Sequence, residues 1–177
     1  TTKAGTSIRL NIAGRRGNCC PGIADGPGQL GSPPDIEANV SPVESDSEGC
    51  IIADGSIPYP GLGLLASPMQ LTVERGRIVD MQGPRDPLAV LTSCFAGAPS
   101  DRAAVLAECG VGLNPLAALT GRMLTDEGAL GTIHVGFGSN ATMGGLNAVA
   151  FHLDVVMRAA TLSIDERVVL REGELVG

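Results

Sequence analysis

His152 and Asp154 stand two residues apart in the apolar run from Phe151 to Val156. On a strand such residues project from one face, so an imidazole and a carboxylate would reach a single cation together. Taken alone, the pair is a common coincidence. The only other histidine, His134, lies in a second apolar run, Thr132 to Phe137, where a lone imidazole is ordinarily a hydrogen-bonded core group. Glycines at 136, 138, 144 and 145 follow it and would let backbone approach a ligand closely. That stretch holds no lysine and does not fit a phosphate-cradling loop. Glu37 and Glu108 read by themselves as surface carboxylates. Flanks of Val105-Leu106-Ala107 and Cys109-Gly110-Val111 turn Glu108 inward.

The elements that must position these groups are short, because 25 glycines and 12 prolines punctuate the chain. Alternation predicts strands over Ser7–Ala13, Asp35–Ser41 and Gly49–Ile57, with Asp54-Gly55-Ser56 read as a turn. Met69–Glu74 and Arg77–Met81 form a hairpin around Arg75-Gly76. Asp86–Phe95 has helical spacing with Pro87 near its start, Asp101–Leu106 continues helically after Ser100 as N-cap, and a further helical turn is expected over Pro115–Leu124. Strands follow over Thr132–Phe137 and Ala150–Met157, then a hairpin from Ala160–Ile164 and Val168–Glu172. Gly14–Pro34 reads as loop, with Arg15 and Arg16 solvated. The expected fold is a single α+β domain over residues 1–177, a mixed or antiparallel sheet with a few helices.

Composition excludes several classes. A net charge of −7, a pI near 4.7 and only 2% aromatic residues argue against nucleic acid, which needs clustered cations and stacking rings. No apolar run reaches the ~18 residues of a membrane helix. The five cysteines show no zinc-finger spacing and read as free thiols of a reducing compartment, so a cytoplasmic location is expected. The sequon at Asn140-Ala141-Thr142 is expected to be idle, since no signal peptide accompanies it.

Taken in order, Lys3-Ala4-Gly5-Thr6, Pro34-Asp35-Ile36-Glu37, Asp54-Gly55-Ser56, Glu108 to Pro115, Asp126-Glu127, Gly131 to His134 and His152-Leu153-Asp154 resemble the C-terminal domain of the thermophilic-type leucyl aminopeptidases, peptidase family M29. The same superfamily contains 2,5-dihydroxypyridine 5,6-dioxygenase, a non-haem iron enzyme. The resemblance covers nearly the whole chain. It implies that Glu37, Glu108, His134, His152 and Asp154 hold one or two divalent ions, zinc, cobalt or manganese. Glu108 is the candidate catalytic bridge or proton shuttle, and Asp126 and Glu127, ordinarily helix-end or loop charges, are candidates to orient a ligating histidine. Such a donor set suits polarising a carbonyl and acidifying a water. The leading expectation is therefore an aminopeptidase-like or amide hydrolase acting on a small molecule or short peptide.

For the dioxygenases the resemblance implies two histidines and one carboxylate around Fe(II), with a histidine at the Glu108 position and no ligand at Glu37 or His134. Fe(II) ring cleavage of a dihydroxypyridine-like aromatic is accordingly the alternative expectation, using His152, Asp154 and either His134 or Glu108. A non-catalytic domain with a vestigial metal site is the third. The peptidases carry a catalytic tyrosine shortly after the His134 position, where this chain has Gly138 to Gly144 and no tyrosine. The resemblance also implies a dimer and an N-terminal partner domain, on the same chain or a separate one. Thr1 is a further candidate, as an N-terminal nucleophile whose α-amine serves as base.

Overall fold

The computed structural model describes residues 1–176. Its strands are β1 (Ser7–Leu10), β2 (Gly17–Cys20), β3 (Glu37–Val40), β4 (Ser47–Ala53), β5 (Ser56–Ile57), β6 (Gly63–Leu64), β7 (Met69–Glu74), β8 (Arg77–Gln82), β9 (Leu106–Gly112), β10 (Thr132–Gly138), β11 (His152–Arg158), β12 (Leu162–Ile164), β13 (Arg167–Arg171) and β14 (Glu174–Leu175). Two α-helices, α1 (Arg85–Ala96) and α2 (Met123–Gly128), complete the set with short 3-10 turns at Asp101–Ala104 and Ala141–Met143. Every strand pairing is antiparallel, so the fold is α+β as expected.

A seven-stranded sheet in the order β2-β3-β9-β10-β11-β5-β6 faces a four-stranded sheet in the order β1-β4-β7-β8, and a three-stranded sheet β12-β13-β14 closes the C-terminal end. Alternation decides which face is core. Ile133, Val135 and Phe137 of β10 join Leu153, Val155 and Met157 of β11 against Ile51, Leu71 and Val73 of the smaller sheet. Leu91 and Cys94 of α1 enter the same core. With so few aromatics, all three phenylalanines gather here: Phe95 meets Phe137 edge-on at 6.3 Å and Phe151 at 5.3 Å between ring centroids.

The β7–β8 hairpin forms where alternation places it, and Arg75 and Gly76 both take positive φ, as a tight primed turn requires. Three expectations are corrected. Gly14–Pro34 is not all loop: Gly17–Cys20 pairs along β3, although Gly-Asn-Cys-Cys carries no hydrophobic alternation. Pro115–Leu124 is not helical. Its donors are captured locally, Leu116 N by Asn114 Oδ1 and Thr120 N and Gly121 N by Asp126, so helix begins only at Met123. Beyond Ser100, which caps Arg102 N at 3.0 Å, the chain makes a single 3-10 turn before Leu106 enters β9.

Arg15 is mostly buried instead of solvated. It pairs with Glu44, which also accepts from Asn140 Nδ2 and Leu146 N and so fastens the Gly-rich loop. Asp54 and Gly55 do form a turn, but Ser56 is fully buried in β5. No helix among the described residues is long and apolar enough to cross a membrane.

Candidate metal centre

The face of the large sheet opposite its core carries the chemistry. Antiparallel register places Glu108 across from Gly136 and Gly136 across from Asp154, with Gly138 facing His152. One step along, His134 faces Gly110, and Glu37 faces Gly112. Carboxylates and imidazoles therefore alternate with glycines over four neighbouring strands. The gaps are required. A Cβ on Gly110 would lie 2.1 Å from His134 Nε2, and one on Gly136 would lie 2.8 Å from His152 Nε2 and 2.9 Å from Asp154 Oδ1. The short helix α2 packs over this face, with Gly128 against the backbone of Asp35 and Ile36.

Glu37, Glu108, His134 and Asp154 are each at least nine-tenths buried, which overturns the surface reading of the two glutamates. His134 Nε2 lies 3.0 Å from Glu37 Oε2 and 3.7 Å from Glu108 Oε1. His152 Nε2 lies 3.2 Å from both Glu108 Oε2 and Asp154 Oδ1. Two sets of ligand atoms are thus drawn together, Glu37 with Glu108 and His134, and Glu108 with His152 and Asp154, each within 4.8 Å. Glu108 belongs to both.

The donors suit a divalent ion. Glu37 Oε2 is sealed from solvent and lies 3.0 Å from His134 Nε2, so the two atoms point into the same small space. Its other oxygen, Oε1, accepts from Asn39 Nδ2 at 2.5 Å, and Asn39 in turn accepts from Asn18 Nδ2 at 3.0 Å. His152 Nδ1 meets the carbonyl of Ser139 at 3.0 Å. A proton on Nδ1 donated to that carbonyl would leave Nε2 as the ligand atom. His134 Nδ1 has no partner among the described residues.

Electrostatics report the same crowding. Burial works to lower the His152 pKa, but hydrogen bonding to Asp154 and Glu108 outweighs it and pushes the ring up to about 11. His134 is raised well above its ordinary value against the same burial effect, by Glu108 and Glu37. Burial would raise Glu108 and Asp154, yet the imidazoles hold both below the usual carboxylate range. Glu127 is driven upward by burial and by the charge of Asp154. Its carboxyl group lies close to Asp154, with Oε1 sealed from solvent, rather than behind a histidine ring.

Asp126 turns out to be structural. It is wholly buried and accepts from Ser56 Oγ, Thr120 N and Gly121 N at 2.6, 2.6 and 2.8 Å. Thr1 is paired through its backbone with Thr161: its amine donates to Thr161 O at 2.8 Å and Thr161 N returns the bond. Tyr59 lies beside Cys94 and is no substitute for the missing tyrosine. Asn39 and Asn18 carry no motif and escaped the sequence reading. The signal available was Asn39 two residues after Glu37, on the same strand face.

Carboxylates and imidazoles thus gather around glycine gaps on the outer face of an antiparallel sheet, an arrangement able to hold a metal ion. The sequence pattern described as NicX, 2,5-dihydroxypyridine 5,6-dioxygenase, matches residues 1–177. The chain belongs to that family. No curated protein matches it. Among solved structures, 2,5-dihydroxypyridine dioxygenase from Pseudomonas putida KT2440 is similar with a TM-score of 0.85 at 22% identity, over 99% of this chain and 53% of that one. Wild-type AmpT from Thermus thermophilus is similar with a TM-score of 0.70 at 20% identity, over 98% of this chain and 48% of that one. The chain spans about half the length of these structures. At such identities they establish the fold, and the family's members are enzymes.

Proposed function

We propose that this domain carries the metal centre of a ring-cleaving dioxygenase acting on a dihydroxypyridine-like aromatic. The reading rests on Glu108, His152 and Asp154 forming an open three-ligand set in a chain whose whole length matches the dioxygenase family. Of the two candidates for the third ligand, Glu108 clusters with His152 and Asp154, and His134 does not. The three ligands share one sheet face, and His152, with a side chain 29% exposed, is the ligand through which a substrate would approach an ion held there. Fe(II) held there supplies electron transfer to dioxygen. Asp154 is steadied by Glu127, His152 by Ser139, and Glu108 by the His134 ring behind it.

A metal-dependent amide or peptide hydrolase is the second reading, and a separate observation favours it. Glu108 presents one oxygen to each histidine, so it could serve both ligand sets, and it stands where the dioxygenase resemblance implies histidine. Two divalent ions there would supply Lewis acidity at a carbonyl. Glu37 and His134 would then be ligands instead of supports.

Loading the chain anaerobically with Fe(II), or separately with zinc, manganese or cobalt, separates the readings. Oxygen uptake on 2,5-dihydroxypyridine with Fe(II) supports the first. Release of amine from an amino-acid amide, without oxygen uptake, supports the second. Failure to bind any of these ions defeats both and leaves the vestigial site.

A further inference from the structure

We propose that Cys20, Asp35 and Glu37 form an additional cation site, one that takes a thiophilic divalent ion of the zinc class. It adjoins the centre described above through Glu37 and does not depend on which reaction that centre performs. Cys20 sits directly across from Glu37 in the β2–β3 pairing and therefore shares its face. Asp35, two residues before Glu37, brings its carboxylate into the same patch, and the three ligand atoms lie within 4.8 Å of one another.

The surrounding protein leaves Asp35 poorly satisfied. Asp35 is 4% exposed, and its Oδ1 is sealed from solvent without a hydrogen-bond partner among the described residues, while Oδ2 receives only a 3.3 Å contact from Ser32 Oγ. Glu37 Oε2 is equally sealed from solvent, and its one charge-bearing neighbour is His134 Nε2 at 3.0 Å. None of the lysine or arginine ion pairs among the described residues involves Asp35 or Glu37. A buried carboxylate oxygen left without a donor is costly, and a cation drawn to Asp35 relieves that cost while sharing the Glu37 carboxylate.

The donor types choose the ion. One sulfur and two carboxylate oxygens suit zinc or cadmium over magnesium or calcium, which take oxygen ligands alone. Cys20 is half-buried, so an ion can enter from that side, and its thiol proton leaves to solvent as the metal–sulfur bond forms. Because Glu37 is common to this set and to the Glu108–His134 set, an ion held by Cys20 competes for the carboxylate oxygen that faces His134.

Cadmium is a suitable probe, since a cadmium–thiolate bond absorbs in the ultraviolet. Titrating the metal-free chain should develop that band, and Cys20→Ser should abolish it and bind one fewer equivalent by equilibrium dialysis. Cys19, exposed on the opposite strand face, is the control, and Cys19→Ser should keep the band. Asp35→Asn should weaken cadmium binding at the thiol by no less than the loss of an outer-shell partner costs, about tenfold. His152→Ala removes a ligand of the neighbouring centre and should leave the band in place, so failure of the enzymatic reading and failure of this one are told apart. The proposal is overturned by absence of the band in the wild-type chain, by its survival in Cys20→Ser, by unchanged affinity in Asp35→Asn, or by its loss in a folded His152→Ala chain.

Discussion

Gly136 stands opposite Glu108 in the β9–β10 pairing, and its missing side chain keeps the sheet surface beside that carboxylate open. On its other side it faces Asp154, so the same gap serves a ligand on each neighbouring strand. Gly136→Ala would put a methyl group 2.8 Å from His152 Nε2 and 2.9 Å from Asp154 Oδ1, and the half-buried His152 ring can give way. The expected outcome is a large loss of metal affinity, about 100-fold or more, with a stability cost of only ~1 kcal/mol. Isothermal titration with zinc alongside urea melts would show it. Unchanged affinity would mean that no ion sits beside Gly136.

Gly110→Ala should behave differently. The added methyl would fall 2.1 Å from His134 Nε2, whose ring is almost entirely buried and has nowhere to turn. Destabilisation of about 3 kcal/mol or failure to fold is expected, from overpacking alone. A thermal melt checks it, and a variant as stable as the parent would show that the His134 ring is free to move.

Asn39 takes no part in either ligand set, yet its amide fixes Glu37 Oε1 and so directs Oε2 toward His134. Asn39→Ala is expected to lower affinity at the Glu37–Glu108–His134 position by about 10- to 100-fold and to leave the Glu108–His152–Asp154 position nearly unchanged. Two-site metal titrations distinguish this from a general loss of structure, which would weaken both.

The metal-free chain should become less stable as pH rises. His152 is held up to about 11, so the folded state keeps a proton that the unfolded chain releases above about 6.5. Its stabilisation is present below that pH and fades as pH climbs toward the folded value. Asp35, raised to about 6 by burial and by Glu37, acts with the same sign between about 4 and 6. Glu108 and Asp154 are depressed and act oppositely, their contribution disappearing in acid below the usual carboxylate range. Urea melts in chelator near pH 6.5 and pH 9 should therefore show lower stability at the higher value, and added zinc should bind more tightly there because its ligands must be deprotonated. Equal stability at both pH values would rule out protonated imidazoles in the metal-free centre.

How far the sequence revealed this arrangement depended on whether a strand has one buried face or two. The β7–β8 hairpin, β10 and β11 alternate or run apolar between turn signals, and His134, His152 and Asp154 could be placed on them. By contrast β9, the strand that carries Glu108, lies between β3 and β10 with almost every residue buried, and its glycines and lone glutamate mimic a loop. Pairing created β2, whose composition carries no strand signal. Asp126 stabilises a loop through side-chain bonds to backbone, an arrangement with no periodicity to read. Ordered motifs located the ligands, whereas the partners that orient them, Asn39, Asn18 and Ser139, required coordinates.

The shared carboxylate gives the sharpest test of how many ions the centre holds. Glu108 Oε1 faces His134 and Oε2 faces His152, so Glu108→Gln weakens whatever each histidine helps to bind. His134→Ala touches only the first of the two ligand sets, and a Cys20→Ser background keeps the thiolate site out of the count. With a single ion at Glu108, His152 and Asp154, His134→Ala should lower affinity by the about 10- to 100-fold that an orienting partner contributes, and the stoichiometry should stay at one. With two ions, the same variant should lose one equivalent outright, and Glu108→Gln should weaken both. Elemental analysis of the zinc-loaded variants reads the difference directly. A second equivalent that survives His134→Ala would remove Glu37, Glu108 and His134 as its ligands and with them the bridging role of Glu108.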